Sequence, residues 1–251
     1  KLLSTAQDLS LQVHPNDEQA GRMVGPGALG KTEMWVILGA EPGACLYNGF
    51  VEGYDGRDLA ERIRQGRLLE VVHRTEVQVG DVFYIPAGRV HTIGAGLLLA
   101  EIQQSSDTTY RIDDFGRLDD RGQPRALHLE EAISVAHCDG PGLAAHPQPL
   151  KGWPGSRLAR GPYFECNRFG LKAGEECQRS HDGLDSPVVL MNLSGQAVLR
   201  HRSGQRVVNG VQTLMLPASD PGYTWCAETP SEWLEIYLPL PANFTNGTVL
   251  A

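Results

Sequence analysis

The sequence predicts a mainly β protein made of two barrel-like domains with a few short helices. Three observations carry this. Glycine is frequent, at 29 of 251 residues, and proline contributes 16, so the chain turns often. Apolar runs are short, and several alternate with polar residues at the period of two that a strand imposes. Finally, Phe83-Tyr84-Ile85-Pro86-Ala87 in the first half is echoed by Leu214-Met215-Leu216-Pro217-Ala218 in the second. Five positions past each proline stand His91 and Gly222, so the second half reads as a copy of the first barrel that has lost its site.

Composition excludes several classes. A net charge of -8 argues against general nucleic-acid binding, although an anionic small substrate could still be held by a local cluster of Lys and Arg. No apolar run approaches the roughly 20 residues of a membrane span, and no stretch reads as a secretory signal. Cys45, Cys138, Cys166, Cys177 and Cys226 are scattered, odd in number and free of C-x-x-C pairs. Free thiols in a reducing cytosol are therefore expected, and with them a cytoplasmic location. The sequons at Asn192, Asn243 and Asn246 read as chance matches without a secretory signal. The chain opens on Lys1-Leu2-Leu3 rather than Met, which reads as a natural start left out.

Taken in order, Leu9, Leu11 and Val13 share one face of a strand, with Ser10, Gln12 and His14 on the other. Pro15-Asn16-Asp17 ends it. After a Gly/Pro loop, residues 31–38 read as a strand with Lys31, Glu33 and Trp35 on one face. Residues 57–74 break the β pattern: Leu59, Ile63, Leu68-Leu69 and Val71-Val72 fit a helical stripe, capped by Asp55 or Asp58 and divided at Gly66 into two short helices. Val82–Ile85, Val90–Ile93 and Leu97–Gln104 are further strands, the last placing Leu99, Glu101 and Gln103 on one face. Leu127–Ala136 reads as a short helix. Residues 139–162 are Gly/Pro-rich and read as a linker. Tyr163–Leu171, Val188–Arg202, Val207–Leu216 and Trp233–Leu238 are the strands of the second half. The expected division is 1–138 for a first domain with the helical insert, 139–162 for the linker, and 163–251 for a second domain that has lost the first one's site.

The polar residues that these strands turn inward in the first half are Gln12, His14, Glu33 and His91. Two imidazoles, a carboxylate and an amide oxygen form a plausible set for a divalent cation, and two His with one Glu is a known catalytic zinc pattern. The same set suits iron, which keeps an iron oxygenase open as a reading. An ordinary core histidine and an exposed polar face are the bland alternatives.

These residues resemble a family, the type I mannose-6-phosphate isomerases (phosphomannose isomerases). The resemblance rests on Leu9-Ser10-Leu11-Gln12-Val13-His14-Pro15-Asn16-Asp17, on Gly30-Lys31-Thr32-Glu33-Met34-Trp35, on Ile85-Pro86-Ala87-Gly88 through His91, and on Glu101 through Arg111. It covers most of residues 9–117 and is loose in the second half. It implies a double cupin, two β-barrels in one chain with the metal in the first, of the short bacterial form. It implies zinc on Gln12, His14, Glu33 and His91, a catalytic Arg111, and a substrate pocket lined by Ser10, Lys31, Glu101 and Arg117. Family members carry further sequence before the first motif.

The implied reaction interconverts mannose 6-phosphate and fructose 6-phosphate through an enediol, in a monomer or homodimer. It needs a base, a cation for the developing oxyanion, and a grip on the phosphate. Arg111 serves the oxyanion, or the phosphate beside Arg117. Glu101, Lys31 and a metal-bound water all remain candidates for the base. The alternative reading is a non-catalytic cupin that keeps the metal and binds a sugar phosphate.

Overall fold

The computed structural model describes residues 1–240. The chain divides into two compact units, Lys1–Ala145 and a second beginning at His146. Each is a pair of antiparallel sheets facing one another, the arrangement of a cupin barrel.

In the first unit the strands are β1 (Leu2–Thr5), β2 (Leu11–Val13), β3 (Glu33–Ala40), β4 (Cys45–Phe50), β5 (Val72–Glu76), β6 (Val82–Ile85), β7 (His91–Ile93), β8 (Leu97–Gln103) and β9 (Tyr110–Asp113). One sheet runs β1-β8-β3-β6 and the other β5-β4-β7-β2-β9. Helix α1 (Asp17–Met23) follows β2 and opens on a capping box, in which Asn16 and Gln19 satisfy each other's backbone N–H. Helices α2 (Leu59–Arg64) and α3 (Leu129–Val135) cover the outer face of the five-stranded sheet. There Leu11, Val13, Tyr110 and Ile112 pack with Ile63, Ala132 and Val135.

That layer explains the alternation of β2. Its apolar side faces the helices, so Gln12 is turned into the barrel. Trp35, Ile37, Phe83, Ile85, Ile93 and Leu99 fill the interior from both sheets.

The second unit holds β10 (Gln148–Pro149), β11 (Gly155–Arg160), β12 (Glu165–Leu171), β13 (Glu176–Ser180), β14 (Val188–Ser194), β15 (Gln196–His201), β16 (Gly204–Asn209), β17 (Gln212–Leu216), β18 (Gly222–Ala227) and β19 (Ser231–Tyr237). Its sheets run β10-β11-β12-β19-β14-β17 and β13-β18-β15-β16. The order β1-β8-β3-β6 recurs as β12-β19-β14-β17, and β2-β7-β4-β5 as β13-β18-β15-β16. Eight strands are thus connected and paired alike in both units. Trp225 stacks on Trp233 at 4.6 Å between ring centroids and anchors the second core.

Several expectations are corrected. The insert is one helix, α2, followed by a single 3-10 turn (Leu68–Glu70). Residues Val72–Glu76 are strand β5, since β-branched Val72 pairs with Phe50 instead of continuing a helix. The stretch 139–162 contains β10 and β11, which extend the sheet beside β12, so this part is folded structure and not a linker. Val188–Arg202 is two strands hinged at Gly195, whose φ of 81° and closeness to Pro230 exclude a side chain. Val207–Leu216 likewise splits into β16 and β17.

Asn192 is wholly buried, and its amide donates to the carbonyls of Gly195 and Gly210, so its sequon is out of reach of modification. Asn243 and Asn246 lie outside the described residues. Among the described residues no helix is long and apolar enough to cross a membrane.

Candidate metal centre and active site

Three strand ends meet inside the first barrel. His14 follows β2, Glu33 opens β3 and His91 opens β7, and all three are buried to within 1% of full enclosure. Their ligand atoms lie within 4.8 Å of one another, a group able to hold a metal ion. Glu33 Oε1 is 3.5 Å from His14 Nε2, and Glu33 Oε2 is 3.6 Å from His91 Nε2.

The main chain fixes both imidazoles. His14 Nδ1 lies 3.0 Å from the Thr108 carbonyl and His91 Nδ1 lies 2.8 Å from that of Arg89. A carbonyl can only accept, so each Nδ1 carries the proton and each Nε2 turns its lone pair toward Glu33. Burial lowers the pKa of both histidines. His91 falls to about 4, and His14 falls well below its ordinary 6.5, helped first by neighbouring His91 and then by the positive charge of Lys31. Both are neutral at pH 7, as metal ligation requires.

The donor set fits a divalent cation on a further ground. His14 Nε2 and Glu33 Oε2 are buried and, among the described residues, have no hydrogen-bond partner. Polar atoms so placed are costly unless something satisfies them. Gln12 lies opposite His91 in register, its Nε2 3.3 Å from His91 Nε2. Turning its amide over, which exchanges nitrogen for oxygen without moving the chain, presents Oε1 to the same space. Ser10 Oγ lies 3.1 Å from Gln12 Oε1 and holds that side chain.

The remaining expected residues gather in two places. Lys31 is 6% exposed, and its Nζ sits 2.6 Å from Glu33 Oε1. A close turn puts it there: Lys31 N donates to the Pro15 carbonyl, and a Cβ on neighbouring Gly30 would lie 2.5 Å from the Asn16 carbonyl carbon. Glu101 is buried on β8 opposite Trp35, and its carboxylate pairs with Lys1 Nζ at 3.2 Å.

Arg111 stands opposite Gln12 on β9, so His91, Gln12 and Arg111 form a row across one sheet face. Its Nη1 donates to the Ala126 carbonyl at 2.8 Å, and its Nε is 3.8 Å from Asp114. Arg117 donates to the same Asp114 at 2.5 Å. The second pair of guanidinium contacts to Asp114 comes from Arg125, which sequence reasoning passed over. It lies eight residues past Arg117 in a polar loop with no periodic pattern, and the only sequence signal is a run of arginines, Arg111, Arg117, Arg121 and Arg125, that does not single it out.

In the second barrel Tyr223, not Gly222, faces inward opposite Arg179, as His91 faces inward opposite Gln12. One extra residue after Pro217 shifts the register. The interior positions matching Gln12, His14, Glu33 and His91 then hold Arg179, His181, Val188 and Tyr223. Buried Glu235 accepts from Arg179 at 2.7 and 3.1 Å, from His181 at 3.1 Å and from Tyr223 at 2.7 Å. Although burial works the other way, His181 and Arg179 bring its pKa down to about 2. A guanidinium and a carboxylate neutralise each other here.

No protein-family model matches the chain. A mannose-6-phosphate isomerase of Streptococcus mutans is 34% identical over 219 residues, which is 86% of this chain and 67% of that protein. The mannose-6-phosphate isomerase ManA of Bacillus subtilis is 45% identical over 135 residues, 54% of this chain and 42% of that one. Among solved structures, a mannose 6-phosphate isomerase from Bacillus subtilis superposes with a TM-score of 0.82 at 27% identity, covering 94% of this chain and 73% of its own. A phosphomannose isomerase variant from Salmonella typhimurium superposes at 0.76 over 96% of this chain and 79% of its own, with 15% identity, which shows the fold alone. Sequence likeness along two thirds of a relative and a shared two-barrel fold agree with the motifs around Gln12, Glu33 and His91: the chain belongs to the type I mannose-6-phosphate isomerases.

Proposed function

We propose that the protein is a zinc-dependent aldose–ketose isomerase that interconverts mannose 6-phosphate and fructose 6-phosphate through an enediol. The buried group of His14, Glu33 and His91, with its unsatisfied polar atoms, carries this reading. Gln12, His14, Glu33 and His91 would hold the ion, which when bound polarises sugar oxygens. Zinc is favoured by two neutral imidazoles, one carboxylate and a basic surround.

The chain's own side chains do the rest. Lys31 places a buried ammonium beside Glu33, where it can donate to a substrate oxygen as negative charge develops. Arg111, permanently charged, stabilises the enediolate, with Arg117 toward the phosphate. Glu101 is the carboxylate offered as base; its burial and its Lys1 partner are compatible with that role. Ser10 holds Gln12 and lines the pocket. Trp35 packs edge-on against His91 at 5.4 Å and keeps water from that side of the ring. The first barrel performs the chemistry, and the second, with Arg179 and Glu235 locked together, carries no metal. A cytoplasmic location accords with five cysteines that form no disulfide.

A coupled isomerase assay on purified protein, run after chelation and again after zinc is restored, tests the reading. Turnover of mannose 6-phosphate that disappears and returns supports it. Tight sugar-phosphate binding with no proton exchange into solvent would identify a binding protein instead.

A further inference from the structure

The loop between β9 and α3 is folded back on itself. Leu118 and Pro124 bridge across it, Asp119 N donates to the Gln123 carbonyl at 2.7 Å, and the turn closes at Gly122. Its return limb delivers Arg125 beside Asp114. Arg125 Nε donates to Asp114 Oδ2 at 2.6 Å, and its Nη2 donates to Oδ1, a two-pronged contact. Arg117 bonds Oδ1 through Nη2 and the Asp114 carbonyl through Nε. Arg111 is bound to the next residue of the same limb, Ala126. Three guanidiniums therefore converge on one carboxylate that is itself only 6% exposed.

The charges do not balance. Three fixed positive charges face a single negative one, and each guanidinium carries five donors while Asp114 offers two oxygens. The crowding is felt: after burial, Arg125 is the strongest influence pushing the pKa of Arg111 down, and Arg117 adds a smaller push against the opposing Asp114. Arg111 Nε is buried without a hydrogen bond among the described residues. The three side chains keep 18%, 16% and 36% of their surface exposed, so an incoming anion can reach them. The excess of two charges equals that of a phosphate monoester dianion.

We infer that Arg125 binds the substrate's phosphate together with Arg117, while Arg111 keeps the enediolate, and that Asp114 is an internal anion holding the three guanidiniums convergent until that phosphate arrives. This rests on the sugar-phosphate reading above and adds to it a specificity-determining residue outside the motifs. Arg125 acts on the phosphate end alone and has no part in proton transfer.

The test compares wild type with Arg125→Gln on mannose 6-phosphate and on mannose, which has the reacting carbons and no phosphate. A charge-assisted contact of this kind corresponds to about a ten- to hundredfold change in affinity. KM for mannose 6-phosphate should rise by that factor while kcat stays within about threefold. Whatever turnover of mannose the wild type shows should not change, and inhibition by inorganic phosphate should weaken in parallel with KM. An unchanged KM, or an equal loss on mannose, overturns the inference and leaves the isomerase reading standing. If wild type turns over neither sugar, the isomerase reading fails. Calorimetric titration with inorganic phosphate then still decides: binding lost in Arg125→Gln supports the phosphate site, and equal binding refutes it. Should Arg125→Gln not fold, Arg125→Lys carries the test, since lysine keeps the charge without the two-pronged contact and should raise KM several-fold.

Discussion

Changing Glu33 to Gln in metal-free protein isolates the ion pair at the centre of the first barrel. Lys31 Nζ and Glu33 Oε1 are 2.6 Å apart, with side chains 8% and 1% exposed. At that distance an effective dielectric of about 20 gives about 6 kcal/mol of attraction. Glu33→Gln keeps the shape and removes the charge, leaving a buried ammonium without its counter-ion. Breaking a buried pair from one side costs about 3–5 kcal/mol, which lowers the melting temperature of the first unit by roughly 6–20 °C. Scanning calorimetry on chelator-treated protein measures this. The double variant Lys31→Met with Glu33→Gln removes both charges and should recover most of the loss. A cost under about 1 kcal/mol for the single variant, or a double variant no more stable than the single, would refute this account of the pair.

Other outcomes can be checked directly. His91→Ala should lose the metal by elemental analysis, whereas Arg111→Ala should keep both metal and fold yet lose turnover. Metal-free protein should lose stability as pH falls from 6.5 toward 4, because the unfolded chain takes up a proton that buried His91 refuses; His91 contributes about 3 kcal/mol to that loss, read by denaturant titration at each pH. In the second unit the depressed pKa of Glu235 acts with the same sign in a lower window. Its contribution is complete above about 4.5 and fades as pH falls toward 2, and Glu235→Gln should abolish that acid dependence in the unfolding transition of this unit. Gly30→Ala should cost about 1–3 kcal/mol in thermal unfolding, since its Cβ would press on the backbone of Asn16, and should also displace Lys31 and lower turnover.

The inward polar face of β2 was legible because Leu11 and Val13 alternate cleanly with Gln12. Glu33 and Lys31 were legible because Trp35 shares their face. What the alternation could not reveal is why β2 is buried on both sides, since the covering helices lie 46 and more residues away in sequence. Strands β4, β13 and β18 went unread: Cys45–Phe50 contains Asn48 and Gly49, and Glu176–Ser180 is mostly polar, so neither carries the β-branched run that marks a strand. Val71-Val72 misled in the other direction, because two valines after a helical stripe suit either period. Arg125 was invisible for a different reason. Its role depends on where a folded-back loop returns, and nothing local in Gly122-Gln123-Pro124-Arg125 fixes that position.

The orientation of the two imidazoles has a consequence for how such a centre drifts over generations. The acceptors that set His14 and His91 are peptide oxygens of Thr108 and Arg89, which every amino acid possesses. No substitution at either position can delete them, so the aim of the rings does not depend on which side chains stand there. Change is constrained instead in the path of the chain, at places such as Gly88, where a methyl group would run into the ring of His137 and push the segment carrying Arg89 out of line.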